Sequence, residues 1–107
     1  IKYFSCVLGR YITCYVFKDF RKTFHNLLVH DVYSYLVQVF GIENVKLLNK
    51  PGTPDLEIYV NNKKIAVEIE TGFKEIQDII QLIKDRIKTY DITILIYPNN
   101  EIKLNIV

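Results

Sequence analysis

Asp55, Glu57, Glu68 and Glu70 are the residues whose types and spacing can do chemistry. Leu56, Ile58 and Val60 alternate with Glu57 and Tyr59. Ile65, Val67 and Ile69 alternate in the same way with Ala66, Glu68 and Glu70, and this period of two is that of a strand. Asn61-Asn62 between the runs is a turn signal, so together they predict a hairpin. With the turn near residues 61–64, the open end sets Asp55 and Glu57 opposite Glu68 and Glu70 on one face. Cross-strand neighbours stand about 4.5–5.5 Å apart at Cβ, and like charges so placed repel. A hard divalent cation offsets that repulsion, and oxygen-only ligands suit Mg2+ or Mn2+ better than zinc. The plainer alternative is a solvated face of an edge hairpin, balanced by Lys63 and Lys64. Those lysines lie at the turn, far from the acids. The acids instead adjoin Pro54 and Gly72, where strands give way to loops and functional groups gather.

The elements that must position these acids are legible on either side. Asp19 is a candidate N-cap, and Phe20, Phe24, Leu27, Leu28, Val32, Tyr35, Leu36 and Val39 recur at helical spacing. Gly41 stops that helix, with Ile42 placed to fold back on its last turn. Val45 to Leu48 is a short apolar strand, and residues 50–54 form a Pro- and Gly-bearing loop. After Thr71-Gly72, residues 74–90 predict an amphipathic helix with Ile76, Ile79, Ile80, Ile83 and Ile87 on one stripe. Its acids Glu75 and Asp78 lie early, and Lys84, Arg86 and Lys88 lie late, as the helix dipole prefers. Ile92 to Tyr97 and Glu101 to Val107 read as two further strands joined by Pro98-Asn99-Asn100. The order is helix, three strands, helix, two strands, an α/β pattern with one sheet covered by helices. Residues 1–18 form an N-terminal extension that pattern leaves open between strand and helix, and residues 19–107 form the domain.

Composition bounds the rest. The 107 residues suit one domain, and half of them are hydrophobic, a globular balance. A net charge of +2 is mildly basic, so a DNA partner requires the lysines and arginines to gather on one face. Cys6 and Cys14 make neither a disulfide framework nor a zinc pattern, and read as thiols of an intracellular, cytoplasmic protein. The apolar run from Tyr3 to Phe17 is broken by Arg10 and is shorter than the roughly 20 residues of a membrane span. It also lacks the features of a signal peptide. A first residue other than Met points to a trimmed or processed chain, or to part of a longer one.

Pro54-Asp55, followed after residues 56–67 by Glu68-Ile69-Glu70, resembles the PD-(D/E)XK signature. That superfamily includes restriction endonucleases and archaeal Holliday-junction resolvases. The element order from about Asp19 onward also resembles its αβββαβ core, a mixed central sheet flanked by helices. The resemblance implies that Asp55 and Glu68 ligate Mg2+ or Mn2+ with help from the Ile69 carbonyl. It further implies a metal-dependent endonuclease that hydrolyses DNA phosphodiesters. In such a site the ion lowers the pKa of a bound water, and Glu70 orients that water or holds a second ion. The chain departs from the family at Glu70, where Lys is usual, which makes it an E-x-E variant. Lys74 is the candidate for a relocated ammonium, and its plainer reading is a solvated lysine at a helix start. An acid on the first helix often completes the family's metal site, and Asp31 is the candidate. The plainer reading of Asp31 is a stripe-edge aspartate in water. His25 and His30 read as structural. Phosphate grip falls to Lys50 and Lys74, with Arg21 and Lys22. The missing Lys also allows a catalytically inactive module that binds DNA or a protein, and a plain interaction domain is a third alternative. Enzymes that cut both strands often dimerise, which leaves a homodimer open.

Overall fold

The computed structural model describes residues 2–5, 8–13, 20–72 and 74–97. Strands β1 (Lys2–Ser5) and β2 (Arg10–Thr13) precede helix α1 (Phe20–Phe40). A 3-10 turn (Ile42–Asn44), β3 (Val45–Leu47), β4 (Leu56–Val60) and β5 (Lys63–Ile69) follow, then α2 (Ile76–Ile87) and β6 (Ile92–Ile96). The segment 1–17 thus contains an antiparallel hairpin, with Lys2 opposite Thr13 and Ser5 opposite Arg10. The expected cap Asp19, both cysteines and the expected strand Glu101–Val107 lie outside the described residues.

The central sheet has the order β3-β4-β5-β6 and is mixed. β3, β4 and β5 run antiparallel, while β6 returns through α2 to lie parallel to β5, the connection a parallel pair needs. The hairpin forms where the alternating runs place it. Asn61 and Asn62 both take positive φ, 52° and 62°, the requirement of a type I′ turn that asparagine meets cheaply. Leu56 pairs with Val67 and Glu57 with Ala66, and the same register sets Asp55 level with Glu68.

This register sorts the side chains. Leu56, Ile58, Val67 and Ile69 form the core with Phe24, Leu28, Val29 and Val32 of α1. Leu56 is completely buried, a burial that stabilises by about 1.5–3 kcal/mol. Glu57, Ala66 and Glu68 occupy the other face, where Arg86 of α2 meets Glu68. The acid-bearing face is therefore covered too.

Four local expectations are corrected. Tyr35 and Val39 are exposed, and α1 instead turns Val29, Tyr33 and Phe40 toward the core. Gly41 does end α1, at φ 92°, but Ile42 is 67% exposed and does not fold back. The side-chain amide of Asn44 donates to the Phe40 carbonyl (2.7 Å) in its place. The isoleucine stripe of α2 is mostly in water: only Ile79 is buried, while Ile76, Ile80 and Ile87 are 72%, 46% and 62% exposed. α2 is also shorter than 74–90, so Lys74 lies in the approach to the helix. Among the described residues no helix is long and apolar enough to cross a membrane.

Candidate active site

The open end of the β4–β5 hairpin, the loop before β4 and the last turns of α2 enclose an open cleft of about 800 Å³. Asp55, Glu68, Glu70 and Lys74 all line it, with Ile69 between the two glutamates. The lining cations include Lys22, His25, Lys50 and Arg86, and Asp85 adds a further acid. Residues far apart in sequence are brought together here, as the hairpin register requires.

Asp55 stands just before β4, after the buried Pro54. One carboxylate oxygen accepts the Ile69 N–H (2.8 Å), tying the end of the hairpin across the strands. The other lies 3.2 Å from His25 Nε2, linking the sheet to α1. The hydrogen bond to Asp55 raises the His25 pKa above 6.5. Burial opposes the rise, the Asp55 charge reinforces it, Asn26 adds to it, and the Lys74 ammonium opposes it.

Glu68 is 5% exposed, and Arg86 Nε donates to its Oε2 at 2.5 Å. The same guanidinium donates to the Gly52 carbonyl (3.2 Å), so it fastens the loop before β4 to α2. Burial pushes the Glu68 carboxyl above its usual pKa. Arg86 opposes this, the nearby Asp55 charge adds to it, and Lys74 opposes it. Glu70 is also buried, and its Oε1 accepts the Gly72 N–H (2.9 Å). Its own N–H donates to the Ile96 carbonyl (2.9 Å), which extends the ladder to β6 past Ile69. Lys74 is exposed at the mouth of the cleft.

Two acids stand elsewhere. Asp31 accepts a hydrogen bond from Ser5 Oγ (2.7 Å), which fastens the β1–β2 hairpin to α1, and it does not line the cleft. Glu57 faces Ala66 rather than the other acids. It accepts the hydroxyl of Tyr59 (2.9 Å) and that of Tyr90, with Lys64 Nζ 3.8 Å away. Burial and the Glu57 carboxylate push the Tyr90 hydroxyl well above its usual pKa.

No family model, curated protein or solved structure matches the chain. The cleft's own chemistry therefore carries the reading.

A divalent ion is the cofactor that the sequence resemblance implies. The carboxylate oxygens are the hard donors that Mg2+ and Mn2+ take. Their placement does not fit one: among the described residues, no three His, Cys, Asp or Glu side chains are set to hold an ion together. Glu68 faces Arg86, Asp55 faces His25 and the Ile69 N–H, and Glu70 turns back to Gly72.

Sequence reasoning gave Arg86 and His25 lesser parts than they have. By sequence Arg86 suits the helix dipole, yet it falls at i+7 from Ile79 and i+4 from Leu82, on the face that α2 buries. That spacing was the available signal. His25 offers none beyond adjacency to the core residue Phe24, because its partner Asp55 is met only through the fold.

Proposed function

We propose that the cleft is the active site of a divalent-metal-dependent DNA endonuclease of the PD-(D/E)XK type. The observation that supports this most is the gathering of Asp55, Glu68, Glu70 and Lys74 in one open cleft with Lys22 and Lys50 at its wall. The order helix, three strands, helix, strand from Phe20 to Ile96 is also that of the family core. In this reading, Lys22, Lys50 and Lys74 attract the phosphate backbone, a salt-sensitive and sequence-independent contact. Asp55 and Glu68 are the pair on which cleavage depends. His25 orients Asp55, and Lys74 supplies the positive charge that the family usually carries at the position of Glu70.

One observation favours a second reading. Each of the three acids already has a protein donor, so the cleft is self-consistent as an inactive module that binds DNA or a protein through its lysines. Incubating supercoiled and branched DNA with the protein plus Mg2+ or Mn2+ separates the two. Metal-dependent cutting that falls by at least about a hundredfold in Asp55→Ala and Glu68→Ala supports the nuclease, since second-sphere losses alone are usually about 10–100-fold. DNA binding with no cutting under any metal supports the module and overturns the nuclease.

A further inference from the structure

We infer that Arg86 positions the phosphate-contacting Lys50, by pinning the tip of the loop that carries it to the buried carboxylate of Glu68. The inference rests on the phosphate contact assigned to Lys50 above, which the nuclease and the binding module share, and it involves no metal. Four observations carry it. Residues 50–53 form a tight turn in which the Lys50 carbonyl accepts the Thr53 N–H (3.3 Å) and the Thr53 hydroxyl (2.6 Å). Pro51 and Gly52 hold its two central places, and Gly52 has φ 79°, the pattern of a type II turn. The Leu48 N–H donates to the Asp55 carbonyl (3.1 Å) and closes the loop at its base. At the tip, Arg86 Nη1 donates to the Gly52 carbonyl (3.2 Å), while Nε of the same guanidinium donates to Glu68 Oε2 (2.5 Å).

The physical logic is that of a rigid fork between two elements. A guanidinium is planar, so a nitrogen fixed on Glu68 fixes where the next one points. The Arg86 and Glu68 side chains are only 10% and 7% exposed, so water screens the pair weakly and the anchor is firm. The turn's own bonds set its shape, whereas the arginine sets where that shape sits relative to β5 and α2. Lys50 is exposed on the cleft wall, and the turn carries its Cα. An ammonium whose backbone is already placed loses less freedom on meeting a phosphate, and that preorganisation appears as affinity. Arg86 is therefore a positioning residue for the phosphate contact. It acts through Gly52 and the turn, and Glu68 in turn holds Arg86.

A double-mutant cycle on the full chain tests this, read as affinity for fluorescent duplex DNA in EDTA over a range of salt. Lys50→Gln should weaken binding about tenfold, the lower end for a hydrogen bond to a charged group, and flatten the log–log salt slope by about 0.9. Arg86→Gln should do the same, and the double variant should lose nothing further. Lys22→Gln, on α1 at the same cleft, should instead add its loss in full to that of Arg86→Gln. A general loss of folded protein would lower affinity without changing the slope, so the slope separates positioning from stability. Arg86→Lys keeps a cation beside Glu68 but has no second nitrogen for Gly52. It should show the same loss and coupling, and it decides the matter if the glutamine variant fails to fold. Additive losses for Arg86 and Lys50, or a Lys50→Gln variant that binds like the unmodified protein, overturn the inference and leave the wider reading standing. If the unmodified protein binds no DNA, the reading and the inference fall together.

Discussion

Glu57 and Glu68 lie on the same face of the same sheet, both nearly out of water, and the fold treats them differently. Glu57 is closed in by two tyrosine hydroxyls, with Lys64 at longer range, and Lys64 also stacks its ammonium 4.7 Å from the Tyr90 ring centre. Most of its donors are neutral tyrosine hydroxyls, and they stand away from the cleft. Glu68 instead depends on one full positive charge and opens on the cleft. A carboxylate satisfied by several neutral donors is a structural element, because no single displacement frees it. A carboxylate satisfied by one cation is exchangeable, because a second cation can take that place. The first arrangement fastens β4 to Tyr90 beyond α2, and the second faces the cleft at the open end of the hairpin.

Removing one donor from each acid breaks this comparison most directly. Arg86→Met, measured by urea unfolding without metal, should lose about 3–5 kcal/mol, the cost of leaving one partner of a buried pair uncompensated. Mn2+ should restore part of that loss. Tyr90→Phe should lose less, about 1–3 kcal/mol for a buried acceptor deprived of one donor, and Mn2+ should leave it unchanged. Equal losses, or equal rescue by Mn2+, would erase the distinction between the two acids.

The smallest effect concerns pH. Asp55 raises the His25 pKa, so the folded form binds the proton more tightly than the unfolded chain. The stability from this pair is complete below about pH 6.5, the unfolded value, and is lost as pH rises through the raised folded value. The Glu68 carboxyl, also raised, gives the same sign in a more acidic window that begins near its unfolded value. Unfolding midpoints of the unmodified protein and His25→Asn should therefore differ most at pH 6 and converge in alkaline buffer. A difference that grows with pH contradicts the pairing.

Legibility from sequence followed the range of the physics involved. The β4–β5 hairpin and its register were readable because period-two alternation and Asn61-Asn62 are local signals. The joint placement of Asp55 and Glu68 followed from that register. The buried face of α1 was readable at Phe24, Leu28 and Val32 but not at its edges, where Tyr35 and Val39 are exposed. Apolar residues occur around much of that helix, so packing against Leu56 and Val67 decides which of them turn inward. The isoleucines of α2 misled for the opposite reason. Their stripe is regular, but the face that α2 presents to the sheet must accommodate Glu68, and Arg86 is buried there with Ile79. Asp31 illustrates the limit of placing a residue by its stripe. Its position on α1 was correct, yet its partner is Ser5 of a hairpin whose strands the sequence did not define.

The proposed nuclease reading requires Asp55 and Glu68 to leave His25 and Arg86 and share one cation, and a crystal structure of the chain soaked in MnCl2 tests that rearrangement most directly. The expected result is an anomalous peak within about 2.1–2.3 Å of a carboxylate oxygen from each, with the Arg86 guanidinium displaced from Glu68. Crystals saturated with Mn2+ that show no peak in the cleft, and Arg86 still bonded to Glu68, would contradict it.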